Sequence, residues 1–224
     1  MTIVHKDSIL FKYFISLLRK NKVSAFMNLP NKITVFRIII IPIFMIFAFP
    51  YPKFMQGMVT FIPEIVRASI VFALFLIGTI SDFVDGKIAR KYDLVTDFGK
   101  FLDPIADKLL VSAALTALCV QRPIYAWVLM VTLIREFVVT GMRLVASNKG
   151  VVIAAGKLGK MKTTFQTLGL CVLFAAPIIA YFLPKIEPIV RWTGDITMAV
   201  SVVFLIISGI QYIVKSAYLL EGSM

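Results

Sequence analysis

Residues 82 to 107 read DFVDGKIARKYDLVTDFGKFLDPIAD, a polar and acidic stretch set between two long apolar runs. A helix that crosses a membrane needs about 20 mostly apolar residues. Residues 65 to 90 and 100 to 121 each meet that length, so the quoted stretch covers the end of one span, a short connection and the start of the next. We therefore expect two antiparallel membrane helices that carry their acidic residues at one membrane surface.

The composition of the whole chain indicates a membrane protein. Of its 224 residues, 59% are hydrophobic and 16% are charged, and the mean hydropathy is +0.91, whereas soluble domains average about 45–50% apolar and about 25% charged residues. These values exclude a soluble enzyme, a disordered chain and a disulfide-stapled secreted module. The predicted fold class is an all-α membrane protein with six transmembrane helices, of which the other four are expected at 33 to 50, 123 to 146, 162 to 183 and 192 to 219.

Residues 1 to 26 predict an element of another kind. Apolar residues recur there at helical spacing, while Lys12, Arg19 and Lys20 fall on the other side of the same helix. This pattern is typical of an amphipathic helix that lies on the membrane surface, and a helix that binds a soluble partner is the alternative. We expect residues 27 to 224 to form the six-helix domain.

The distribution of basic residues predicts the orientation in the membrane. The net charge is +12, from 24 Lys and Arg against 12 Asp and Glu, and 16 of the basic residues fall on the side of the termini against five on the other side. Lys and Arg are enriched in cytoplasmic loops. We therefore expect a multi-pass protein of the bacterial cytoplasmic membrane whose termini and acidic connection face the cytoplasm. The chain carries no DNA or RNA motif, so no nucleic-acid partner is expected.

Four carboxylates in the quoted stretch are the candidate chemical centre. Asp82 and Asp85 are three residues apart and Asp103 and Asp107 are four apart, so each pair shares one face of its helix. Unpaired carboxylates would repel one another strongly at a membrane surface, and an all-oxygen set suits Mg²⁺ or Mn²⁺. We expect two such ions, which can hold a pyrophosphate. The alternative is an ion-pair network with Lys87, Arg90, Lys100 and Lys108.

The same stretch resembles the signature of the CDP-alcohol phosphatidyltransferases, Asp-x2-Asp-Gly-x2-Ala-Arg-x8-Gly-x3-Asp-x3-Asp, at all eight fixed positions. The resemblance implies a membrane enzyme, usually a homodimer, that transfers a phosphatidyl or similar group from a CDP-linked donor to an alcohol and releases CMP. It implies that the four aspartates bind the metals and that Asp107 is the catalytic base. The donor would contact Asp82, Gly86, Ala89, Arg90 and Gly99.

Two further stretches resemble the bacterial branch of this family that joins CDP-diacylglycerol to sn-glycerol 3-phosphate. One is NLPNKITVFR at residues 28 to 37, and the other comprises Arg135-Glu136, Arg143 and GKLGKMKTT at residues 156 to 164, with one extra pair, Leu158-Gly159. Basic groups beside the metal site suit an acceptor that carries its own phosphate. The expected acceptor-phosphate residues are Thr34, Arg37, Arg135, Arg143, Lys160 and Lys162.

Other functions stay open at this stage. Another acceptor is possible within the family, such as inositol phosphate, serine or phosphatidylglycerol. From a different class, the carboxylates could line the ion path of a cation transporter, or the chain could be a non-catalytic membrane scaffold. A transporter would need polar groups that continue toward the outer surface, and the outer halves of spans two and three supply few beyond Ser112 and Thr116.

Overall fold

The computed structural model describes residues 29–49, 62–92, 97–151 and 156–216, apart from some side chains within these ranges. These residues form six helices and no strand. We number the helices α1 to α6 in chain order: Leu29–Ala48, Glu64–Tyr92, Asp97–Gln121, Tyr125–Asn148, Lys157–Phe182 and Glu187–Ser216. The predicted all-α fold is confirmed, whereas the predicted helix at residues 1 to 26 lies outside the described residues.

Each helix coincides with one of the six predicted spans to within five residues at either end. Four of them, α1, α2, α5 and α6, contain stretches long and apolar enough to cross a membrane. The chain is therefore a multi-pass membrane protein. Helices α3 and α4 are of similar length, 25 and 24 residues, and carry ionisable side chains inside their apolar stretches. A total of six spans stays a prediction.

Local sequence explains where several helices end. Helix α3 ends at Gln121 and does not include Arg122, which stands directly before Pro123. The reason is that a proline disfavours helical backbone in the residue before it. Helix α4 is followed by Gly150, whose φ of 71° is the left-handed conformation that commonly closes a helix. Helix α5 ends two residues before Pro184. These stops give the short connections that keep successive helices antiparallel.

The core is built where α1, α2 and α5 meet. Phe44, Phe75 and Phe174, one from each helix, are at most 4% exposed, and their ring centroids lie 5.3 to 6.4 Å apart. Small residues of α3, among them Ala113, Ala114 and Ala117, pack against this aromatic cluster. Helix α4 packs mainly against α3 and α6. The charged ends of α2 and α3 are thereby held beside α1.

Helices α5 and α6 form the most extensive helix pair. A Cβ atom on Gly194 would come within 2.7 Å of the Leu173 side chain. We expect Gly194→Ala to force Leu173 out of its position and to destabilise the protein by about 1 to 3 kcal/mol, the usual cost of overpacking. The measurement is thermal unfolding in detergent. The control is Gly141→Ala on α4, where nothing lies within 4 Å; equal unfolding temperatures for the two variants would contradict the close α5–α6 contact.

A charged pair and a tyrosine join the α3–α4 connection to the beginning of α6. Arg122, between α3 and α4, contacts Asp195 of α6 at 2.7 Å, and the Tyr125 hydroxyl donates to the same carboxylate oxygen. The hydrogen bond to Asp195 raises the pKa of the Arg122 guanidinium. The Arg122 guanidinium also lies 5.5 Å from the centre of the Tyr125 ring. This cluster joins the α3–α4 connection to α6 at the end of the molecule opposite the aspartates.

Candidate active site

Helix α1 supplies hydrogen bonds to the carboxylates of its neighbours. Thr34 Oγ1 donates to Asp103 Oδ1 at 2.6 Å, and Arg37 Nη1 donates to Asp82 Oδ1, also at 2.6 Å. Thr34 and Arg37 are at most 1% exposed, whereas the Asp82 side chain is 47% exposed. A buried guanidinium needs an anionic partner because burial otherwise leaves its charge uncompensated. Arg37 therefore fixes one oxygen of Asp82 and leaves the carboxylate open on its other side.

Asp107 differs from the other two described carboxylates. It is half-buried and makes no hydrogen bond or ion pair with any residue that the structure describes. The side-chain charges that act on it most strongly are those of Asp82 and Lys162, followed by Arg37 and Glu136. A carboxylate held among charges of both signs and without a hydrogen-bond donor is available to bind a cation or to accept a proton.

The donor set has the chemistry expected of a site for hard divalent cations. All four predicted ligands are carboxylates, and Asp107 has both oxygens unengaged within the described residues. The side chain of Asp85 lies outside the described residues, and among those described no three acidic, histidine or cysteine side chains are close enough to hold a metal ion. The residues present fit Mg²⁺ or Mn²⁺ by donor type.

A basic cavity of about 270 Å³ lies between α4, α5 and α6. No carboxylate is among the described residues that line it. Gly159 forms part of its wall, where a Cβ atom would stand 3.6 Å from Arg135 Nη2, so a larger side chain there would enter the space. We call this space the basic cavity after the five cations that line it, which are Arg135, Arg143, Lys160, Lys162 and Lys215.

A second space, which we call the lateral cavity, opens beside the first. Its volume is about 490 Å³, and apolar side chains of α3 and α4, among them Leu109 and Phe137, share its walls with a larger number of polar ones. Asp107 lines this cavity, and Lys162 and Thr163 line both cavities. The wall that they share therefore separates a strongly basic space from a space in which apolar side chains lie beside Asp107.

The structure divides the predicted acceptor residues into two groups. Arg135, Arg143, Lys160 and Lys162 line one cavity as a set. Thr34 and Arg37 do not line it, because hydrogen bonds hold them to Asp103 and Asp82. We call the end of α2 and the start of α3, which carry the four aspartates Asp82, Asp85, Asp103 and Asp107, the acidic seam. For the predicted donor residues, Gly86 is half-buried and Gly99 is buried. The side chains of Ala89 and Arg90 lie outside the described residues.

Sequence reasoning missed the contribution of α6. Ser208, Gln211, Tyr212 and Lys215 line the basic cavity, and the Tyr212 hydroxyl accepts a hydrogen bond from Arg143 Nε at 3.3 Å. These polar residues recur at spacings of three and four on one face of an otherwise apolar helix. That periodicity is the signal that could have identified them. Glu136, discussed below, was also absent from the predicted site.

Comparison with known proteins identifies a family and several relatives. Residues 27–208 match the family model of the CDP-alcohol phosphatidyltransferases. A Bacillus subtilis (strain 168) protein named CDP-diacylglycerol--glycerol-3-phosphate 3-phosphatidyltransferase is 44% identical over 199 residues, which cover 88% of this chain and 98% of that protein. A Rickettsia felis protein of the same name is 38% identical over 146 residues, 65% of this chain and 74% of that protein.

The family match includes the acidic stretch, all of α1 to α5, and α6 as far as Ser208. The similarity to the Bacillus subtilis protein likewise extends over most of the chain rather than over the motif alone. Since sequence signature, helical fold and full-length similarity all agree, the chain belongs to the CDP-alcohol phosphatidyltransferase family.

Proposed function

We propose that this chain transfers the phosphatidyl group of CDP-diacylglycerol to sn-glycerol 3-phosphate, forming phosphatidylglycerol phosphate and CMP. The observation that carries the choice of acceptor is the basic cavity, where five cations surround one space beside the acidic seam. The names of the Bacillus subtilis and Rickettsia felis relatives support the same pair of substrates. A cavity with this charge suits a small alcohol that carries a phosphate.

In the proposed reaction the acceptor phosphate is held by the cations of the basic cavity, among them Arg135, Arg143 and Lys162, and one of its two hydroxyls extends toward Asp107. Asp107 takes the hydroxyl proton while the hydroxyl oxygen attacks the phosphorus that bears diacylglycerol. A new P–O bond forms, the pyrophosphate P–O bond breaks, and CMP departs with the bonding electrons. The apolar side chains that line part of the lateral cavity suit a substrate whose acyl chains remain in the membrane.

We propose Asp82, Asp85, Asp103 and Asp107 as the residues that hold the divalent cations. When bound, Mg²⁺ or Mn²⁺ supplies charge neutralisation for the pyrophosphate and for the leaving phosphate of CMP. Thr34 and Arg37 orient two of these carboxylates through the hydrogen bonds described above. Residues that hydrogen-bond to the metal ligands, and so fix the orientation of those ligands, commonly accompany metal sites. Gly86, Ala89, Arg90 and Gly99 are proposed to contact the cytidine diphosphate.

The proposed orientation places the acidic seam and both termini at the cytoplasmic surface. The 16 basic residues on that side against five on the other support it, and a cytoplasmic site would have direct access to a water-soluble phosphorylated acceptor. Membrane lipids surround the apolar helices in this arrangement. The family resemblance further implies a homodimer, which is a prediction for this chain.

The packing of the aromatic cluster disfavours a path for cations through the protein. The aromatic cluster of Phe44, Phe75 and Phe174 fills the space between α1, α2 and α5, and its side chains are at most 4% exposed. A transporter would need polar groups there to replace water around the ion. Within the family, serine as the acceptor would leave the basic cavity without an anionic phosphate to bind. Inositol phosphate carries a phosphate too, so kinetics must decide between it and glycerol 3-phosphate.

The acceptor site can be tested with single substitutions in the basic cavity. Arg143→Ala or Lys160→Ala is expected to raise the Michaelis constant for sn-glycerol 3-phosphate by about tenfold or more. The reason is that a charge-assisted contact contributes about 1.5 to 3 kcal/mol and 1.4 kcal/mol is a factor of ten. The constant for CDP-diacylglycerol is expected to change much less. Initial rates of CMP release at varied concentrations of each substrate give both values.

A matched control is Lys149→Ala. Lys149 lies just after α4 and is exposed, but it does not line the basic cavity. Its substitution removes the same charge from the same side of the protein and should leave both Michaelis constants nearly unchanged. If the cavity variants behaved like this control, the basic cavity would not be the acceptor site.

A further inference from the structure

Glu136 occupies the centre of the cation cluster at the wall shared by the two cavities. Its Oε1 atom accepts a hydrogen bond from Arg135 Nη1 at 2.8 Å and another from Lys162 Nζ, while Lys108 Nζ lies 3.9 Å from Oε2. The Glu136 side chain is only 19% exposed. Two of its three cationic partners, Arg135 and Lys162, line the basic cavity. Glu136 itself lines only the lateral cavity.

Among the described residues, the contact between Glu136 and Lys162 is one of two polar bridges between α4 and α5. One turn earlier on α4, Thr132 Oγ1 accepts a hydrogen bond from Gln166 Nε2 at 3.0 Å, and Gln166 lies one turn later on α5 than Lys162. Thr132 and Gln166 are at most 3% exposed. Helix α4 packs mainly against α3 and α6 rather than α5. These two bridges therefore fix the position of Lys162 along the axis of α5 relative to Arg135 on α4.

Lys162 could not hold its position without a counter-charge. It is 7% exposed, so its ammonium group has lost most of its water, and Arg135 repels it from the neighbouring helix. A single carboxylate that accepts from both cations offsets that repulsion and still leaves the pair with a net positive charge. The two cations can then face one bound anion together.

We propose that Glu136 is a positioning residue that acts through Lys162 and Arg135 to place the acceptor phosphate. It keeps the two cations at one end of the basic cavity, so that the acceptor hydroxyl reaches the lateral cavity where Asp107 lies. This inference rests on the proposed function, since it assigns a role within the same acceptor site. Glu136 takes no proton in this role and acts on the acceptor phosphate only through the two cations.

The test uses Glu136→Gln, which preserves the shape of the side chain and removes its charge. We expect the Michaelis constant for sn-glycerol 3-phosphate to rise by about tenfold or more, with a much smaller change for CDP-diacylglycerol. The matched control is Glu187→Gln, because Glu187 is 21% exposed and likewise accepts from an arginine, Arg191, but lies in the first turn of α6 and away from both cavities. The control should lose thermal stability without a selective change in either constant.

A double variant distinguishes positioning from general structural support. If Glu136 acts through Lys162, then Glu136→Gln combined with Lys162→Met should raise the acceptor constant by less than the product of the two single effects. Effects that multiply would overturn the proposal, as would equal changes in both Michaelis constants. Glu136→Asp keeps the charge but shortens the reach, and it should give a smaller rise that is still selective for the acceptor. It serves as the deciding variant if Glu136→Gln does not fold.

The same measurements separate this inference from the proposed function. Wild-type protein that releases no CMP in response to sn-glycerol 3-phosphate would refute the function. Wild-type protein that uses this acceptor, together with a Glu136→Gln variant whose acceptor constant is unchanged, would refute only the role of Glu136.

Discussion

Asp107→Asn is expected to lower turnover by about 10²- to 10⁴-fold, the range that general bases contribute to enzymatic proton transfer. The substitution removes the group that would take the proton of the acceptor hydroxyl and also removes one proposed metal ligand. Asp107 makes no hydrogen bond or ion pair within the described residues, so the amide breaks no contact that the structure records there. We therefore expect the variant to insert, extract and unfold like the wild-type protein. The measurement is the initial rate of CMP release at saturating substrates.

Asp195→Asn is the control for this variant. Asp195 is also a partly buried aspartate on a membrane helix, but it binds Arg122 and Tyr125 at the opposite end of the molecule. Its loss should lower the unfolding temperature while turnover of the folded protein stays close to the wild-type value. Near wild-type turnover in Asp107→Asn would exclude Asp107 as the base.

Removal of divalent cations is expected to have an effect of similar size. Chelation should lower turnover by at least about a hundredfold, because metals of this kind contribute several kcal/mol to the transition state and each 1.36 kcal/mol is about tenfold. Mg²⁺ or Mn²⁺ should restore the rate, since hard cations prefer carboxylate oxygens. The check is CMP release before chelation, after chelation and after each metal is returned. Undiminished turnover in excess chelator would contradict the proposed metal site.

Much of the fold could be predicted from the chain because membrane helices leave long apolar runs. The six helices occur where those runs occur. The spacing of Asp103 and Asp107 placed both on one face of a helix. Arg37 was expected to bind the acceptor phosphate, and an arginine in an apolar run needs an anionic partner. Periodicity could not decide whether that partner was a bound phosphate or a carboxylate of the seam. The structure gives Asp82 as the partner because α1 packs against α2.

The parts that could not be predicted depend on which helices become neighbours. Lys160 and Lys162 precede an apolar run and would satisfy the positive-inside rule on any surface. Only the packing of α5 against α6 and the bridges to α4 bring them to one cavity with Arg135 and Lys215. Glu136 follows Arg135 directly, so sequence alone could not show that its carboxylate also accepts a hydrogen bond from a lysine on another helix.

The account is tested most directly by CMP release from CDP-diacylglycerol by the purified protein, measured with a panel of acceptors. The panel contains sn-glycerol 3-phosphate, inositol phosphate, serine and phosphatidylglycerol, each with Mg²⁺ or Mn²⁺ present. The account predicts that sn-glycerol 3-phosphate gives the highest kcat/KM and that phosphatidylglycerol phosphate appears in equal amount to CMP. A higher kcat/KM for any other acceptor, or no CMP release with sn-glycerol 3-phosphate, would contradict it.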